Sequence, residues 1–328
     1  MHMIKKFEQS TVYAIGECMI EFSRTKDGSF QRSFAGDVYN TAVYLKRLAP
    51  IGVTVAFVSA VGEDKISGEM LTFWQGEGIS VDHVARLPGK SPGLYVVDTD
   101  EQGERNFSYW RSRSAARKLM DAVEGIAMEG LSEKDIIYFS GITLAILSPP
   151  DREALFAFLQ NAKEKGALIA FDPNYRPALW ESRDCAAANT MAAYGLSDMV
   201  LTGEEEEANL FGWRSQATEI SELERIGVAE TIVKAGERGI FGKVRGGQFH
   251  VPFEPADRVV DTTAAGDSFA GAYLAYRLKG QEPEQAVESA ARIARIVVSS
   301  PGAIIERERF FAQLRSDNVL ASEHSNVT

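Results

Sequence analysis

Hydrophobic and polar residues alternate along the chain with two different periods. Short apolar runs typical of buried β-strands occupy residues 11–22, 53–62, 135–141, 167–174, 198–203 and 231–239. Segments 37–49, 65–78 and 151–166 instead carry apolar residues at helical spacing. Because strands and helices follow one another, the pattern predicts an α/β fold with a doubly wound, mostly parallel sheet sandwiched by helices.

One stretch departs from this rhythm and predicts a hairpin. Residues 93–111 form two alternating runs on either side of Asp-Glu-Gln-Gly at 100–103. We expect a small β-sheet lid formed by roughly 17–35 and 92–112, added to one α/β domain over 1–316, with a polar, flexible tail at 317–328. Exposed strand edges favour pairing with another chain, so a homo-oligomer formed through the lid is expected.

Composition narrows the classes of function. The 328 residues are 45% hydrophobic, yet no run of 18 apolar residues predicts a transmembrane helix. The N-terminus has no apolar export signal and the two cysteines are far apart, which together favour a cytoplasmic protein. A net charge of -11 disfavours binding to nucleic acid or a membrane surface. The four histidines lack the spacing of a zinc site.

The most informative stretch is 259–277, VVDTTAAGDSFAGAYLAYR. Val259 and Val260 are predicted to end a strand at Asp261, and a helix is predicted to begin near Asp267. Small residues allow close approach to the backbone, and unpaired N–H groups at a helix start attract anions such as phosphate. A carboxylate there suits a general base that takes the proton from an attacking hydroxyl. The alternative is that Asp267 only caps the helix, and the turn alone does not separate the two.

Two signatures carry a family resemblance. Residues 261–267, DTTAAGD, resemble the D-T-x-G-A-G-D signature of the ribokinase family of carbohydrate kinases, with Ala264 in place of the usual Gly. Residues 35–42, AGDVYNTA, are similar to the Gly-Gly-Asp-x-x-Asn substrate element of that family. The resemblance extends to about residue 305, and two signatures in the right order are more specific than either alone.

The resemblance implies an ATP-dependent sugar kinase whose chemistry lies on the 261–267 turn. Asp267 would deprotonate the acceptor hydroxyl. The backbone N–H groups of Ala264, Ala265 and Gly266 would stabilise the charge on the transferring γ-phosphoryl group. Phosphoryl transfer depends on such positioning and electrostatic stabilisation rather than on covalent help from the protein.

A later segment resembles the nucleotide-binding element of the family. VKAGERG at 233–239 is similar to K-x-G-x-x-G, so Lys234, Gly236 and Gly239 would line the ATP site. Taken alone, the same glycines are better explained by a turn between two strands. The chain has neither a P-loop motif nor a dinucleotide-binding G-x-G-x-x-G after a strand. The family often has Asn where Ala291 stands, near the adenine.

Magnesium is the expected companion of ATP. Residues 201–210, LTGEEEEANL, occupy the place of the Asn-x-x-Glu element of the family, but the Asn is missing. We prefer the alignment that gives Thr202 to the nucleotide and Glu205 an indirect role at the metal; Gly203 with Glu206 is the alternative. An acidic run at a helix start is also favoured by the helix dipole without any metal. A monovalent cation is a further candidate cofactor.

Two arginines suggest the nature of the acceptor. Tyr109-x-Arg111 and Asn174-x-Arg176 are expected to face one cleft once the lid closes, and a guanidinium group matches the two oxygens of a carboxylate. GECMIEF, GLYVVDTD and YWRSRSAAR resemble the branch of the family that phosphorylates 2-keto-3-deoxygluconate. By that resemblance the acid sugar would be bound by Gly36, Asn40, Tyr95, Tyr109, Arg111 and Arg176. The alternatives are that Arg176 reaches the phosphates of ATP and that both tyrosines only pack within strands.

The expected function is phosphorylation of 2-keto-3-deoxygluconate by ATP at its terminal hydroxyl, which yields the 6-phospho acid. The main alternative is a kinase of a neutral sugar such as fructose or ribose, or of a nucleoside, on the same fold. A non-catalytic sugar-acid sensor is the second alternative. The intact Asp267 counts against a sensor, because binding alone needs no base.

Overall fold

The computed structural model describes residues 9–25, 27–99, 105–126 and 130–317. The strands, in chain order, are β1 (Thr11–Ile15), β2 (Met19–Arg24), β3 (Phe30–Ala35), β4 (Thr54–Gly62), β5 (Val84–Leu87), β6 (Leu94–Thr99), β7 (Arg105–Trp110), β8 (Ile136–Ser140), β9 (Leu168–Asp172), β10 (Met199–Gly203), β11 (Glu230–Lys234), β12 (Ile240–Val244) and β13 (Gly247–Val251).

The α-helices are α1 (Asp37–Leu48), α2 (Lys65–Gly76), α3 (Met120–Val123), α4 (Gly141–Ile146), α5 (Pro149–Glu164), α6 (Arg183–Leu196), α7 (Glu204–Phe211), α8 (Gln216–Ile226), α9 (Ala265–Leu278), α10 (Pro283–Val298) and α11 (Arg307–Ser316). Short 3₁₀ segments lie at Ala115–Lys118, Pro177–Leu179 and Gly236–Arg238.

The larger sheet has nine strands in the order β13-β12-β11-β10-β9-β8-β1-β4-β5. Every neighbouring pair from β11 to β5 is parallel, whereas β12 and β13 add two antiparallel pairings at one edge. Parallel neighbours need crossover connections, and the helices between the strands supply them. The predicted mostly parallel sheet is confirmed.

Each face of this sheet is covered by helices. One face packs against α1, α9, α10 and α11, whose buried aromatic residues include Tyr44, Tyr273 and Phe310. The other face packs against α3 to α6, where Phe139 and Tyr194 are fully buried. Strands buried on both sides are expected to be continuously apolar, as in the fully buried β8 (IIYFS). The predicted sandwich is confirmed.

A second, four-stranded sheet forms the lid, in the order β3-β2-β6-β7. Its two antiparallel hairpins, β2–β3 and β6–β7, are joined by the parallel pair β2–β6. The lid strands lie at 19–35 and 94–110, inside the segments predicted for them. The hairpin turn expected at 100–103 lies outside the described residues, as does the expected tail beyond Asp317.

The structure corrects two strand predictions. Residues 11–22 are not one strand, because the chain leaves β1 at Gly16 and enters the lid at Met19. A Cβ on Gly16 would lie 2.6 Å from the Cβ of Val38, so this crossing packs directly on α1. Val259 and Val260 do not form a strand either; they lie in an irregular segment, 64% and 39% exposed. Within the described ranges, no helix is long and apolar enough to cross a membrane.

Candidate active site

A cavity of about 970 Å³ lies between the lid and the carboxyl ends of the parallel strands. Its floor includes Asp172, the last residue of β9, and Lys234, the last residue of β11. The lid contributes Tyr95 and Tyr109 from β6 and β7. Ligands of open α/β sheets commonly bind at this edge, so this cavity is the candidate active site.

Asp267 lines the cavity from the first turn of α9. The helix begins at Ala265, and its N-cap residue, Ala264, makes no side-chain capping bond. The carboxylate of Asp267 instead accepts a hydrogen bond of 2.8 Å from Nδ2 of Asn40 in α1. Asp267 is therefore not the helix cap, and the capping alternative is wrong.

The carboxylate of Asp267 holds its proton more tightly than an ordinary aspartate. Burial, together with the charges of Asp37 and Asp172, raises its pKa to about 7, although the hydrogen bond from Asn40 and the charge of Lys234 act in the opposite direction. A general base works best when its pKa lies near the working pH. Asp267 thus has the protonation behaviour that proton transfer at neutral pH requires.

Lys234 is surrounded by carboxylates on the cavity floor. Its Nζ lies 3.5 Å from Oδ2 of Asp172. Burial alone would lower the pKa of Lys234, but the charges of Asp172, Glu206 and Asp267 outweigh it and raise the pKa. A Cβ built on Gly266 would lie 3.7 Å from the same Nζ. A lasting positive charge therefore stands beside the 261–267 turn.

The two acids that flank this turn have different tasks. Asp261 is buried, and its Oδ1 and Oδ2 accept hydrogen bonds from the backbone N–H groups of Thr263 (2.9 Å) and Gly302 (2.5 Å). Ala264 has a left-handed backbone (φ 61°), which costs a non-glycine residue roughly 1–2 kcal/mol. Asp261 thus fixes the shape of a strained turn, whereas Asp267 faces the cavity.

A second, largely apolar cavity of about 340 Å³ adjoins the first, and both are lined by Lys234 and Gly266. Gly236 and Gly239, predicted for the ATP site, line it. Gly239 has a φ of 87°, and a Cβ there would lie 2.3 Å from the carbonyl oxygen of Val251, so the position requires glycine. Further apolar lining comes from Ile240, Phe253, Val259, Phe269, Ala291 and Val298. Such a cavity suits a nucleotide base.

The acidic segment after β10 is placed differently from the preferred alignment. Thr202 is fully buried and donates a 2.5 Å hydrogen bond to Glu207, and Glu205 is exposed; neither is among the residues described as lining the two cavities. Glu206, the next residue on α7, lines the larger cavity. Successive residues of a helix point in directions about 100° apart. The geometry therefore favours the alternative alignment with Glu206, and it places Thr202 and Glu205 away from the described lining of both cavities.

The residues predicted to bind the acceptor do come together. Gly36, Asn40, Tyr109, Arg111 and Arg176 all line the larger cavity. Arg111 and Arg176 both act on the ionisation of the Tyr109 hydroxyl, whose pKa burial raises and these two charges lower. Both arginines already have acidic partners. Arg176 Nη1 lies 3.4 Å from Oε1 of Glu206.

Tyr95 also lines this cavity, but its hydroxyl is already engaged. It donates a hydrogen bond to Oε2 of Glu21, and the other carboxylate oxygen, Oε1, accepts hydrogen bonds of 2.9 Å from the hydroxyls of Ser23 and Ser33. The ring of Tyr95 lies 5.6 Å from that of Tyr109. Tyr95 therefore lines the cavity next to the ring of Tyr109, and Glu21 is a structural partner within the lid.

Several site residues were absent from the sequence prediction. Asp37 lies beside Asn40 in the 35–42 signature, and its Oδ2 accepts a 3.0 Å hydrogen bond from Asn174. Asp172 ends a buried strand, a position from which a polar residue reaches the ligand edge of the sheet. The signal for Glu17 was weaker, because the sequence shows only an acid between two apolar runs.

Comparisons with known proteins agree with this geometry. The model of the pfkB family carbohydrate kinases matches residues 9–309. The chain belongs to the pfkB family of carbohydrate kinases. It is therefore a sugar kinase, and the expectation of a phosphotransferase is confirmed.

Individual relatives of this sugar kinase cover most of its length. The 2-dehydro-3-deoxygluconokinase of Escherichia coli K12 is 39% identical over 302 residues, which cover 90% of this chain and 97% of the relative. The corresponding enzyme of Dickeya dadantii is 38% identical over 299 residues, 90% of this chain and 96% of the relative. The fructokinase of Vibrio alginolyticus is 29% identical over 264 residues, 80% and 83% of the two chains.

Solved structures place the fold in the same group. The fructokinase of Xylella fastidiosa with bound ATP superimposes with a TM-score of 0.79, covering 96% of this chain and 100% of that one, at 23% identity. At this identity the likeness shows the fold alone, and it confirms the ribokinase-like arrangement of sheet and lid.

Membership of a kinase family implies ATP and a divalent metal ion as companions. The described residues include no group of three or more His, Cys, Asp or Glu side chains arranged to hold a metal ion directly. Glu206 nevertheless lines the cavity with a buried Oε2 that has no hydrogen-bond partner among the described residues. A single free carboxylate oxygen fits a hydrated divalent ion, which keeps most of its water ligands.

Proposed function

We propose that this kinase phosphorylates 2-keto-3-deoxygluconate at its terminal hydroxyl, with ATP as donor, and that it acts in the cytoplasm, where ATP is available. One observation supports the proposal above others. A single cavity brings together Asp267, which has a pKa near neutral, and the two arginines Arg111 and Arg176. A base and two guanidinium groups in one cavity suit an acceptor that carries a hydroxyl and a carboxylate.

The reaction follows from the positions of these groups. The hydroxyl proton passes to the carboxylate of Asp267 as the hydroxyl oxygen attacks the γ-phosphorus of ATP. The bond from that phosphorus to the β–γ bridging oxygen breaks, and ADP leaves with the electron pair. The N–H groups of the 264–266 turn and the ammonium of Lys234 stabilise the charge on the phosphoryl oxygens.

The carboxylates on the cavity floor, Asp172 and Glu206, suit cations as cofactors. A bound Mg²⁺ would neutralise charge on the phosphates, and Glu206 with Asp172 would hold it through water. Burial and the charge of Asp172 raise the pKa of Glu206, so a nearby cation would favour its ionised form. A monovalent cation is retained as a further proposed cofactor, to be tested by omitting potassium from the assay.

The proposal for the acceptor agrees with the names of the relatives that cover the chain. Those at 38–39% identity are 2-dehydro-3-deoxygluconokinases, which is another name for kinases of the same acid sugar. The gluconate and galactonate epimers of this acid differ in one hydroxyl, and the acceptor panel below includes both. In this kinase, we expect Tyr109, Arg111 and Arg176 to bind the acid sugar.

A panel of acceptors tests the proposal. The purified kinase is supplied with Mg²⁺ and ATP, and ADP release is coupled to a spectrophotometric readout. The panel includes both epimers of the acid sugar, gluconate, fructose, ribose and a nucleoside. We expect kcat/KM for one of the 2-keto-3-deoxy acids to exceed that of every neutral acceptor by about 10- to 100-fold, which corresponds to the loss of one charged hydrogen bond. A neutral acceptor that is used best would reject the proposal.

One observation favours the neutral-sugar alternative. Arg111 is paired with Glu17 and Arg176 with Glu206, so neither guanidinium group is without an acidic partner. A neutral sugar would then be held by the carboxylates and amides of the cavity, such as Asp37 and Asn174. The same panel decides between the two, because fructose would then be phosphorylated better than either acid.

We also propose that two copies pair through their lids. Strand β7 lies at the edge of the lid sheet, and Trp110 at its end is 61% exposed. Phe30, on the opposite edge strand, is 47% exposed. An exposed apolar strand edge is a site for pairing with another chain. Light scattering of the wild type and of Trp110→Ser tests this: we expect a dimer or larger assembly that the substitution weakens.

A further inference from the structure

Glu17 is a buried acid at the junction of sheet and lid. It is 2% exposed, lies between β1 and β2, and lines the larger cavity. Its Oε2 accepts a hydrogen bond from Nη2 of Arg111, which follows β7, the last strand of the lid. The pair therefore joins two of the places where the chain passes between the large sheet and the lid.

Glu17 and Arg111 share one hydrogen bond, and each of them has one further polar atom without a partner among the described residues. Within the described residues, Oε1 of Glu17 and Nε of Arg111 are buried without a hydrogen-bond partner. Leaving such atoms unpaired is unfavourable, and native proteins seldom tolerate it without a reason. The bond to Glu17 is made by Nη2, and Arg111 also lines the cavity, so its guanidinium group has further donors for an acceptor oxygen of a ligand.

Two glycines allow the chain to pass close to Glu17. A Cβ on Gly93 would lie 2.8 Å from Oε1 of Glu17 and 3.2 Å from the Cβ of Arg111. A Cβ on Gly36 would lie 2.2 Å from the carbonyl oxygen of Glu17. The side chain of Glu17 thus lies against one glycine and its backbone against another, and both close approaches require that these two positions carry no Cβ.

We propose that Glu17 is a positioning residue that orients the guanidinium group of Arg111 and thereby gives the site its preference for a charged acceptor. The inference rests on the proposed acid-sugar substrate. A free arginine side chain adopts many rotamers, and ordering it on binding is costly. Glu17 orders Arg111 before the substrate arrives, through a hydrogen bond from Nη2, while the arginine still lines the cavity.

The negative charge of Glu17 has an opposite effect that the experiment separates. The carboxylate of Glu17 also repels the carboxylate of an acid sugar that is bound on the other side of Arg111. Replacing Glu17 by Gln keeps the shape and an acceptor oxygen but removes the charge. If orientation dominates, the acid sugar binds more weakly; if repulsion dominates, it binds more tightly.

The test compares Glu17→Gln with a matched control, Glu69→Gln. Glu69 on α2 also pairs with a lid arginine, Arg32, at 2.6 Å, and it does not line the described part of either cavity. For Glu17→Gln we expect KM for the acid sugar to rise about tenfold, because a neutral acceptor holds arginine about half as strongly. The kcat for that substrate, KM for ATP and kcat/KM for fructose stay within about threefold. The control keeps all four values.

A second variant keeps the inference testable if Glu17→Gln does not fold. Gly93→Ala adds one methyl group against Oε1 of Glu17 and is expected to raise KM for the acid sugar selectively. An unchanged or lower KM for the acid sugar in folded Glu17→Gln would overturn the inference, as would a Gly93→Ala protein that loses all substrates equally. A wild-type kinase inactive on every acid sugar would instead reject the proposed function, and this inference with it.

Discussion

The amide of Asn40 donates a hydrogen bond of 2.8 Å to Oδ2 of Asp267, across 227 residues of chain. It joins the two sequence signatures, one at the start of α1 and the other at the start of α9, in a single contact. The bond favours the ionised carboxylate, because the donor stabilises negative charge. Asn40 therefore holds the pKa of Asp267 below the value that burial and neighbouring acids would otherwise give it.

This contact predicts a pH effect. Asp267 must be deprotonated to act as a base, so kcat/KM should fall as the pH drops below about 7. Removing the donor in Asn40→Ala should raise the pKa of Asp267 and move the acid limb of the profile to higher pH. Asn189→Ala serves as the control, since its amide bonds a helix carbonyl on α6. An acid limb that stays in place in Asn40→Ala would argue against Asp267 as the titrating group.

The base itself predicts a rate effect. Asp267→Asn should lower kcat by about 10²–10⁴-fold, because general-base help is lost. Nucleotide binding should persist, since the second cavity is lined mainly by other residues. Single-turnover assays and an ATP-dependent shift in melting temperature measure the two properties separately. An Asp267→Asn protein that works at the wild-type rate would show that another group accepts the proton.

The acceptor side predicts a split between acid and neutral sugars. Arg111→Ala should reduce kcat/KM for the acid sugar by about 10²-fold, in line with the loss of a charged hydrogen bond. The activity on fructose should change far less. Arg113→Ala is the matched control, because Arg113 lies two residues away, is exposed and does not line the described cavities. Equal losses on both sugars in Arg111→Ala would point to damage of the lid rather than to recognition of charge.

A buried acid away from the cavities predicts how stability depends on pH. Glu219 is fully buried, and both of its oxygens lack a hydrogen-bond partner among the described residues. Burial, with the charge of Glu207, raises the pKa of Glu219 to about 8. Folding therefore takes up a proton between the ordinary pKa of 4.5 and about 8, and stability declines as the pH rises through that window.

The measurement is the melting temperature at pH 5.5 and pH 8.5. Glu219→Gln removes the charge, so it should melt higher than the wild type at pH 8.5 and gain less at pH 5.5. Glu222→Gln on the same helix, where the acid pairs with Arg225 at 2.8 Å, should show no such difference. A pH-independent effect of Glu219→Gln would mean that the acid is not protonated in the folded protein.

Much of the fold was predictable because it follows from local periodicity. Helices α1, α2 and α5 and strands β4, β8 and β9 lie within or close to the segments that the pattern indicated. Errors arose where tertiary contacts override local preference. Val259 and Val260 are β-branched, which favours strands, yet they line the cavities from an irregular segment.

Site residues were predictable where a sequence motif specified the position. They were less predictable where the start of a helix determines which side chain faces the cavity. Asp267, Gly236 and Gly239 came from motifs and lie at the cavities. The choice between Glu205 and Glu206 depends on where α7 begins, and one residue turns the side chain by about 100°. No local pattern indicated Glu17, because its partner Arg111 is 94 residues away.

The acidic floor has a consequence for the order in which ligands arrive. The charges of Asp172, Glu206 and Asp267 act on Lys234, and Asp37 lines the same cavity. The phosphates of ATP without a bound metal ion are repelled by these carboxylates. Metal-free ATP should therefore bind weakly and compete poorly with the ATP–metal complex. The cavity should therefore select ATP that carries its metal ion, and an excess of metal-free ATP should inhibit the kinase only weakly.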